Sequence, residues 1–519
     1  MHRRNALILI SLGFATAWIA SQGVGSPGYM DADYYYTMGQ QWASGKGAQE
    51  PFLWNYLSQP ETIPTLSHGY WSPLTSIIIG FFLRLFGAGF PIAQLPFIIF
   101  TSLLPYLVWW LALAMGTDPD LSFQAGLLAL APGYFLPYFV TTDVFSLYAL
   151  LGVLLMLVLQ IKLEGFTLLK WNLAGILVGL AHLSRADGFL LMLIPITLMV
   201  SYKGKRSKQL SLLMLGYLIV MTPWFYRNLI TSGSLLNPAG GRTLWLLSYD
   251  EIFSYPAHLL SPERWWAAGL GQIMSHRWSA ATTILQRIVG ENGLIFLAPL
   301  MLIGIRMHWK EPLVRAVFAY LSALLIVMVL IFPFAGARGG WFHSSVAAMP
   351  LLWIMAPYGL KASIEWVGSR REWDLVRAKV VFGYAMICMA LLFTWGLYAY
   401  RVVGFNRNLV NWDLPQARYE LIRDAIQTLD PDPGVVAINN PPGFYQVSGM
   451  KAVFLPNGDL TVLEQVVEKF GVSWIVLDIN HPEGLKTLFT LGEIPGWMKL
   501  ERSLEIYGET FVLYRVLEA

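Results

Sequence analysis

The chain has 519 residues, of which 56% are hydrophobic and only 13% charged, and its mean hydropathy is +0.53. This composition excludes an ordinary soluble globular protein, because water would not keep so apolar a chain in solution. The net charge of +3 is too small to indicate a nucleic-acid partner, and the single cysteine, Cys388, excludes an intrachain disulfide.

Apolar runs near the roughly 20 residues that cross a bilayer recur along most of the chain. They predict a polytopic all-α membrane protein. The first run follows Arg3 and Arg4 and fits either a cleaved signal peptide or, as we favour, a retained signal-anchor. The runs cover 6–22, 73–87, 91–114, 121–140, 144–161, 171–183, 188–201, 210–226, 292–307, 313–333, 345–360 and 378–400.

The run 73–87 decides the topology, because it is short for a span and carries Arg84. Lys and Arg collect in cytoplasmic loops. If 73–87 lies in the membrane interface, the basic segments 202–208, 306–315 and 361–379 are all cytoplasmic. We therefore predict a juxtamembrane helix at 73–87 and about eleven transmembrane helices, with the N-terminus inside and the C-terminus outside.

This topology places three regions outside the membrane: a first loop at 23–90, a long loop at 227–291 and a tail at 402–519. The tail contains five short strand-like stretches, and LTVLEQVVEKFG among them has helical spacing and a glycine stop. We predict a transmembrane domain over 1–401 and a small extracytoplasmic α/β domain over 402–519.

Ionisable residues gather at the predicted outer boundary of the membrane. The free-energy cost of placing a charged side chain at membrane depth indicates that such residues have a function. Asp31 and Asp33 lie in MDADYYY, just after the first span. The others lie in the first outer loop or at the outer ends of later spans, and they are His68, Asp143, Arg185, Asp187, Arg227, Arg338 and His343.

Each of these residues also has a structural interpretation. Asp31 and Asp143 would cap the helices that follow them, since Asp is a favoured N-cap. Arg185 would pair with Asp187. The remaining alternatives are solvation for Asp33, snorkelling to lipid headgroups for Arg227 and Arg338, and a structural hydrogen bond for His68 or His343.

No nucleotide-binding glycine motif, HExxH motif or paired-cysteine metal motif is present. Carboxylates can take a proton from a nucleophile, and arginines can bind and neutralise a phosphate. Together they indicate transfer of a group from a lipid phosphate at the outer leaflet. A transporter or flippase of a lipid-linked or anionic solute would use the same residues, but transporters often show inverted repeats and mid-span polar residues, and we find neither. A third alternative is a degenerate protein whose outer domain recruits partners.

The order of these motifs resembles the GT-C glycosyltransferases, in particular the branch described as dolichyl-phosphate-mannose-protein mannosyltransferase-like, with the protein O-mannosyltransferases and aminoarabinose transferases. That group has an acidic motif after its first span, where this chain has MDADYYY, and a juxtamembrane helix like SPLTSIIIGFFLRLFG. TTDVFS, HLSRADG, TPWFYRN and Arg338 with Pro350 are similar too, so the resemblance covers about 1–400. The chain departs from the group in having Asp31-Ala32-Asp33 for the usual Asp-Glu pair, and Ser72 where a Lys is common.

The resemblance implies an inverting hexosyl- or pentosyltransferase of the plasma membrane. Its donor would be a sugar on a polyprenyl phosphate, undecaprenyl phosphate in a bacterial host, and its acceptor a hydroxyl of an envelope lipid, protein or polysaccharide. Asp31 would be the general base and Asp143 a second catalytic acid. No cofactor is required, although a divalent metal between Asp31 and Asp143 is compatible with the motif. The residues implied in substrate binding are Asp33, His68, Tyr70, Arg185, Arg227, Arg338 and His343.

Overall fold

The computed structural model describes residues 2–161, 169–201, 206–405 and 409–517. Helices predominate in these ranges, and the strands lie in the first outer loop and in the tail. The basic segment 202–208, which the topology prediction uses, lies in part outside the described residues.

Helices α1 to α10 form the first part of the chain. They are α1 (His2–Gln22), α2 (Met30–Ala43), α3 (Leu74–Phe86), α4 (Phe90–Ala114), α5 (Pro119–Leu128), α6 (Leu136–Val140), α7 (Phe145–Gln160), α8 (Leu169–Ser184), α9 (Leu193–Ser201) and α10 (Arg206–Ser232). Helix α3 occupies the predicted juxtamembrane segment. Its 13 residues reach about 20 Å, less than the roughly 30 Å of a bilayer core.

The second part of the chain contains nine described helices of very different length. They are α11 (Pro238–Arg242), α12 (Pro262–Ala267), α13 (Leu270–Arg287), α14 (Leu297–Met307), α15 (Pro312–Ile326), α16 (Pro333–Ala335), α17 (Trp341–Ser344), α18 (Met349–Arg371) and α19 (Leu375–Tyr398). A π-helical turn, Gly336–Gly340, joins α16 to α17.

Five helices in the described ranges are long and apolar enough to cross a membrane, or seven if two bent helix pairs each count as one span. The two pairs bend by 48° and 95°. The predicted spans at 144–161 and 188–201 form the shorter apolar helices α7 and Ala186–Ser201, and α3, which is not predicted to span, is short as well. The prediction of eleven spans and of their orientation therefore stays a prediction.

The tail contains the helices α20 (Leu414–Leu429), α21 (Pro441–Ser448), α22 (Leu460–Phe470) and α23 (Lys486–Phe489). Helix α22 follows from local chemistry, because the Asp459 side chain caps its first N–H groups and Gly471, at φ 63°, ends it. Its buried side chains, Leu463, Val466, Val467 and Phe470, recur at helical spacing, as the sequence predicts.

The strands form two sheets. They are β1 (Gln49–Glu50), β2 (Phe52–Leu53), β3 (Thr65–Leu66), β4 (Val435–Ala437), β5 (Ala452–Val453), β6 (Val472–Leu477), β7 (Met498–Ile506) and β8 (Glu509–Val516). Strands β1 and β3 pair antiparallel. The larger sheet has the order β2-β5-β4-β6-β8-β7, parallel from β2 to β6 and antiparallel at β8 and β7.

Strands β4 to β8 coincide with the five stretches predicted in the tail. Strand β2 was not predicted, since a two-residue strand leaves no alternating pattern. It belongs to the first outer loop, so this loop completes the edge of the tail's sheet. The buried apolar residues of the first loop and of the tail accordingly form one continuous core, which includes Tyr34, Phe52, Val436 and Trp474.

Candidate active site

Three of the predicted site residues meet although they are far apart in the chain. Asp31 lies in the first turn of α2, Asp143 in the loop between α6 and α7, and His343 on α17. The Nε2 atom of His343 is 3.3 Å from Oδ2 of Asp143 and 3.6 Å from Oδ2 of Asp31. Asp143 is fully buried, whereas 29% of the Asp31 side chain is exposed, so Asp31 is the carboxylate that an incoming molecule can reach.

The hydrogen bonds around His343 fix its orientation. Its Nδ1 atom lies 2.8 Å from the Gly339 carbonyl, which can only accept a hydrogen bond, so Nδ1 carries a proton. In a neutral imidazole, Nε2 then presents a lone pair to two carboxylates. This arrangement is repulsive unless a proton or a cation lies between the three groups.

Neither acid acts as a helix cap. The N-cap of α2 is Tyr29, and no side chain caps that helix. The N-cap of α7 is Val144, again without a side-chain cap, and Asp143 instead accepts a 2.6 Å hydrogen bond from the Val144 N–H. The capping interpretation of both residues is therefore wrong.

The two carboxylates differ in their affinity for a proton. Burial and the neighbouring Asp143 raise the pKa of Asp31 to about 6, against the opposing effects of His343 and Arg185. Burial alone would also raise the pKa of Asp143, but His343 and a 2.5 Å hydrogen bond from the Tyr29 hydroxyl outweigh it and lower that pKa. Asp143 thus remains ionised at a pH at which Asp31 can still exchange a proton.

Arg185 belongs to a neighbouring network. Its Nε atom donates to Oδ1 of Asp187 and to Oγ of Ser344, each at 3.0 Å, and Ser344 also donates to Asp187. Both charged side chains are largely buried, with 16% and 13% exposure. Ser344 directly follows His343, so α17 connects this network to the acidic cluster. The pairing of Arg185 with Asp187, one of the structural alternatives, is present.

The other two arginines have different environments. The Arg338 guanidinium lies 4.9 Å from the centre of the Tyr249 ring, and no carboxylate of the described ranges is within ion-pair distance of it. Arg227 lies over Trp224, 4.8 Å from the ring centre, and donates to the Ser67 carbonyl and to Asn228. Arg227 therefore faces the first outer loop, and the structure does not bring it to the acidic cluster.

His68 and Tyr70 belong to a buried part of the first loop. The Tyr34 hydroxyl donates to Oε2 of Glu50 at 2.9 Å and accepts from the His68 N–H at 2.7 Å. Burial, aided by Arg227, lowers the pKa of His68 to about 3, and its Nε2 atom has no hydrogen-bond partner among the described residues. The Tyr70 ring packs edge-on against Trp54, with 5.0 Å between the ring centres. Their predicted roles in substrate binding stay predictions.

Asp33 does not join Asp31. Its carboxylate faces the tail and accepts a 2.9 Å hydrogen bond from the Asn440 side chain. Only 5% of Asp33 is exposed, and this burial raises its pKa to about 7. The solvated interpretation of Asp33 is therefore wrong, and its role in substrate binding stays a prediction.

Sequence reasoning missed Tyr29 and an ion pair beside the cluster. Tyr29 was adjacent to the acidic motif, but its contact to Asp143 spans 114 positions and leaves no local pattern. Arg287 pairs with Glu291 at 2.6 Å and donates to the carbonyl groups of Ala337 and Arg338. It therefore supports the turn that precedes His343. The position of Arg287 in the predicted long loop does not indicate this contact.

Comparisons with known proteins find similar structures only. No family model matches the chain, and no curated protein matches it. Crystal structures of ArnT from Cupriavidus metallidurans are similar over 98% of this chain and 97% of theirs: the complex with undecaprenyl phosphate has a TM-score of 0.59 at 14% identity, and the apo state 0.60 at 13%. The Archaeoglobus fulgidus oligosaccharyltransferase, in complex with zinc and sulfate, has a TM-score of 0.59 at 14% identity over 94% of this chain and 69% of that one.

The chain has the GT-C glycosyltransferase fold. The resemblance drawn from the motif order is thereby confirmed. At such low identity, a shared GT-C fold says nothing by itself about the reaction, which has to be argued from the site.

Proposed function

We propose that this protein is an inverting membrane glycosyltransferase that moves a hexose or pentose from a polyprenyl-phosphate donor to an acceptor hydroxyl on the outer face of the membrane. The observation that carries the proposal is the meeting of Asp31, Asp143 and His343, from three distant parts of a GT-C fold, with Arg185 beside them.

Asp31 is the general base in this reaction. The acceptor hydroxyl gives its proton to the Asp31 carboxylate as its oxygen attacks the anomeric carbon of the donor sugar. The bond from that carbon to the phosphate oxygen breaks, and its electron pair leaves with the polyprenyl phosphate. A single base and an in-line attack give inversion. Tyr29 and His343 hold Asp143 in place, so Asp143 completes the acidic pocket beside Asp31.

Arginines neutralise the charge that develops on the departing phosphate. Arg185 is next to the acidic cluster through Ser344. Arg338 adds a cation that no carboxylate of the described ranges neutralises, with Tyr249 beneath it. Arg227 is assigned to the part of the donor that lies against the first loop, because it faces that loop.

The donor set of the cluster fits a divalent cation. Asp31, Asp143 and His343 each offer one ligand atom, and these atoms lie within 4.8 Å of one another. The hydrogen bond from Nδ1 of His343 to Gly339 leaves Nε2 free to bind a metal. A cation there would supply positive charge near the leaving phosphate. The steps above proceed through side chains of this chain alone.

The donor class and the location are part of the proposal. ArnT was crystallised with undecaprenyl phosphate, and the oligosaccharyltransferase with an acceptor peptide. By analogy, a lipid-linked donor and an envelope acceptor fit this chain, with the site and the tail extracytoplasmic at the plasma membrane. A cysteine introduced at exposed Lys499, with Cys388 replaced by Ser, tests the location. Labelling by an impermeant maleimide in intact cells is expected, and protection of that cysteine would contradict an outer tail.

The activity is tested with membranes that contain the wild type or Asp31→Asn, given labelled polyprenyl-phosphate hexoses and pentoses with an envelope extract. We expect transfer by the wild type and a loss of roughly 100-fold or more in Asp31→Asn. The matched control is Asp424→Asn, an exposed carboxylate on α20, which should transfer normally. Equal transfer by the wild type and Asp31→Asn would remove Asp31 as the base. Movement of the donor across sealed vesicles without transfer would favour the transporter.

A further inference from the structure

The tail contacts the segment that lies just before α2 and its acidic motif. The Ser26 hydroxyl donates to the Asp413 carboxylate at 2.7 Å, and the Trp412 indole N–H donates to the Ser26 carbonyl at 3.0 Å. The Trp412 ring also packs edge-on against Tyr29, with 5.9 Å between ring centres. The first residues of the tail therefore hold the segment that leads into α2, including the tyrosine that binds Asp143.

A second contact holds α2 itself. The Asn440 side chain donates from Nδ2 to Oδ2 of Asp33, and its Oδ1 accepts from the Gly443 N–H at the start of α21. These two bonds fix which end of the amide faces Asp33, because only the NH₂ group can donate to a carboxylate. Asn440 and Asp33 are both buried, with 8% and 5% exposure, so water does not compete for the bond.

The first turn of α2 depends on such contacts. Its N-cap residue, Tyr29, makes no side-chain hydrogen bond to the helix, so the turn lacks one usual source of local stability. At 3.6 residues per turn, Asp31 and Asp33 point roughly 200° apart around the helix axis. The same turn thus presents one carboxylate to His343 and the other to the tail. The bond at Asp33 therefore constrains the rotation of the turn that carries Asp31, together with the Thr142 hydroxyl, which donates to the Ala32 carbonyl at 3.0 Å.

We propose that Asn440 is a positioning residue: through its hydrogen bond to Asp33, the tail holds α2 in the orientation that points Asp31 at Asp143 and His343. The tail then acts as part of the catalytic framework and is more than an appended module. The kinetic part of this inference rests on the proposed glycosyltransferase activity.

The first test is Asn440→Asp, assayed at pH 9, above the pKa of about 7 of Asp33, so that two carboxylates without a shared proton face each other at almost unchanged shape. We expect kcat to fall roughly 10- to 100-fold, because a displacement of about 1 Å at a reacting group has that cost, with KM for the donor within about twofold of the wild type. The double variant Asp33→Asn with Asn440→Asp restores the bond with donor and acceptor exchanged, and the new carboxylate can still accept from Gly443. It should raise kcat well above that of Asn440→Asp.

The matched control is Asn439→Asp. The neighbouring Asn439 donates from Nδ2 to Oδ1 of Asp478 at 2.5 Å, so the same substitution disturbs the same kind of pair inside the tail, away from α2. It should leave kcat unchanged. A loss of kcat in Asn439→Asp as large as in Asn440→Asp would mean that any damage to the tail has this effect, and it would overturn the proposal.

Amide hydrogen exchange over residues 30–36 gives a readout that needs no activity. Exchange should be faster in Asn440→Asp than in the wild type, and normal in the double variant and in Asn439→Asp. If the wild type transfers no sugar, the proposed function fails. Amide hydrogen exchange alone then tests the positioning role of Asn440. Wild-type exchange or wild-type kcat in Asn440→Asp, or a double variant no better than Asn440→Asp, would overturn it.

Discussion

Two buried acidic clusters lie close to α2, and they differ in how their charge is balanced. In the first loop, Glu50 accepts a hydrogen bond from Tyr34, which in turn accepts from the His68 backbone. Where α2, α17 and the loop between α6 and α7 meet, Asp31 and Asp143 contact the single imidazole of His343. The Glu50 carboxyl group has a neutral hydroxyl group as its hydrogen-bond donor. In the Asp31 cluster, the oxygen atoms of two carboxylates instead face a single ring nitrogen.

This difference separates a structural acid from a candidate catalytic one. Burial raises the pKa of Glu50 to about 8, so at neutral pH this side chain is mostly a neutral acid within a hydrogen-bonded network. The pKa of Asp31 reaches only about 6, and the carboxylate retains 29% exposure. An acid that is ionised at neutral pH and reachable from outside can accept a proton from a substrate. Burial of a carboxyl group therefore does not by itself identify the site.

The largest expected effect is from Asp143→Asn, which removes the charge that His343 and Tyr29 hold in place. We expect kcat to fall roughly 100-fold or more, because in the proposed mechanism the second acid holds His343 beside Asp31 and completes the acidic pocket. Glu50→Gln is the matched control, since it removes an equally buried acid but keeps an acceptor for Tyr34. It should transfer sugar within about twofold of the wild type. Equal losses in the two variants would abolish the distinction between the clusters.

Arg185 offers the next largest effect, because its ion pair with Asp187 allows a structural role. Arg185→Gln should lower kcat roughly 100-fold if the guanidinium neutralises the leaving phosphate. The double variant Arg185→Gln with Asp187→Asn removes the unpaired charge that the single variant leaves. If it regains thermal stability but not kcat, the phosphate role holds. Recovery of both would show that Arg185 only pairs with Asp187.

The sequence indicates candidate site residues, but it does not indicate their contacts. Asp31 and Asp143 could be predicted because ionisable groups at a membrane boundary are unusual in an apolar chain. The Asn440–Asp33 bond, across 407 positions, leaves no periodic pattern. The same reason explains why the tail strands were predicted while β2 was not, since alternation needs more than two residues. Local patterns specify elements, and distant pairings become visible only in the folded chain.

The smallest expected effect concerns stability and completes the comparison. The pKa of Glu50 is about 8 in the folded protein against 4.5 for a free side chain, so between these pH values the folded state binds more protons than the unfolded state. Wild-type stability should therefore fall as the pH rises through this window and then level off. Glu50→Gln lacks this contribution. Its midpoint of thermal unfolding, followed by tryptophan fluorescence in detergent, should be close to that of the wild type at pH 5 and several degrees higher at pH 9.

Two controls make this last measurement specific to Glu50. Asp33, whose pKa is raised to about 7, adds a similar slope, but it does so equally in the wild type and in Glu50→Gln and cancels in their difference. Glu61→Gln changes a carboxylate that is 78% exposed and leaves the Glu50 network intact, so its unfolding midpoint should show the same fall between pH 5 and pH 9 as the wild type. A constant gap between Glu50→Gln and the wild type from pH 5 to pH 9 would mean that Glu50 is ionised in the folded protein. The first-loop cluster would then hold an uncompensated charge like the one at Asp31, and its closed hydrogen-bond network would no longer distinguish it.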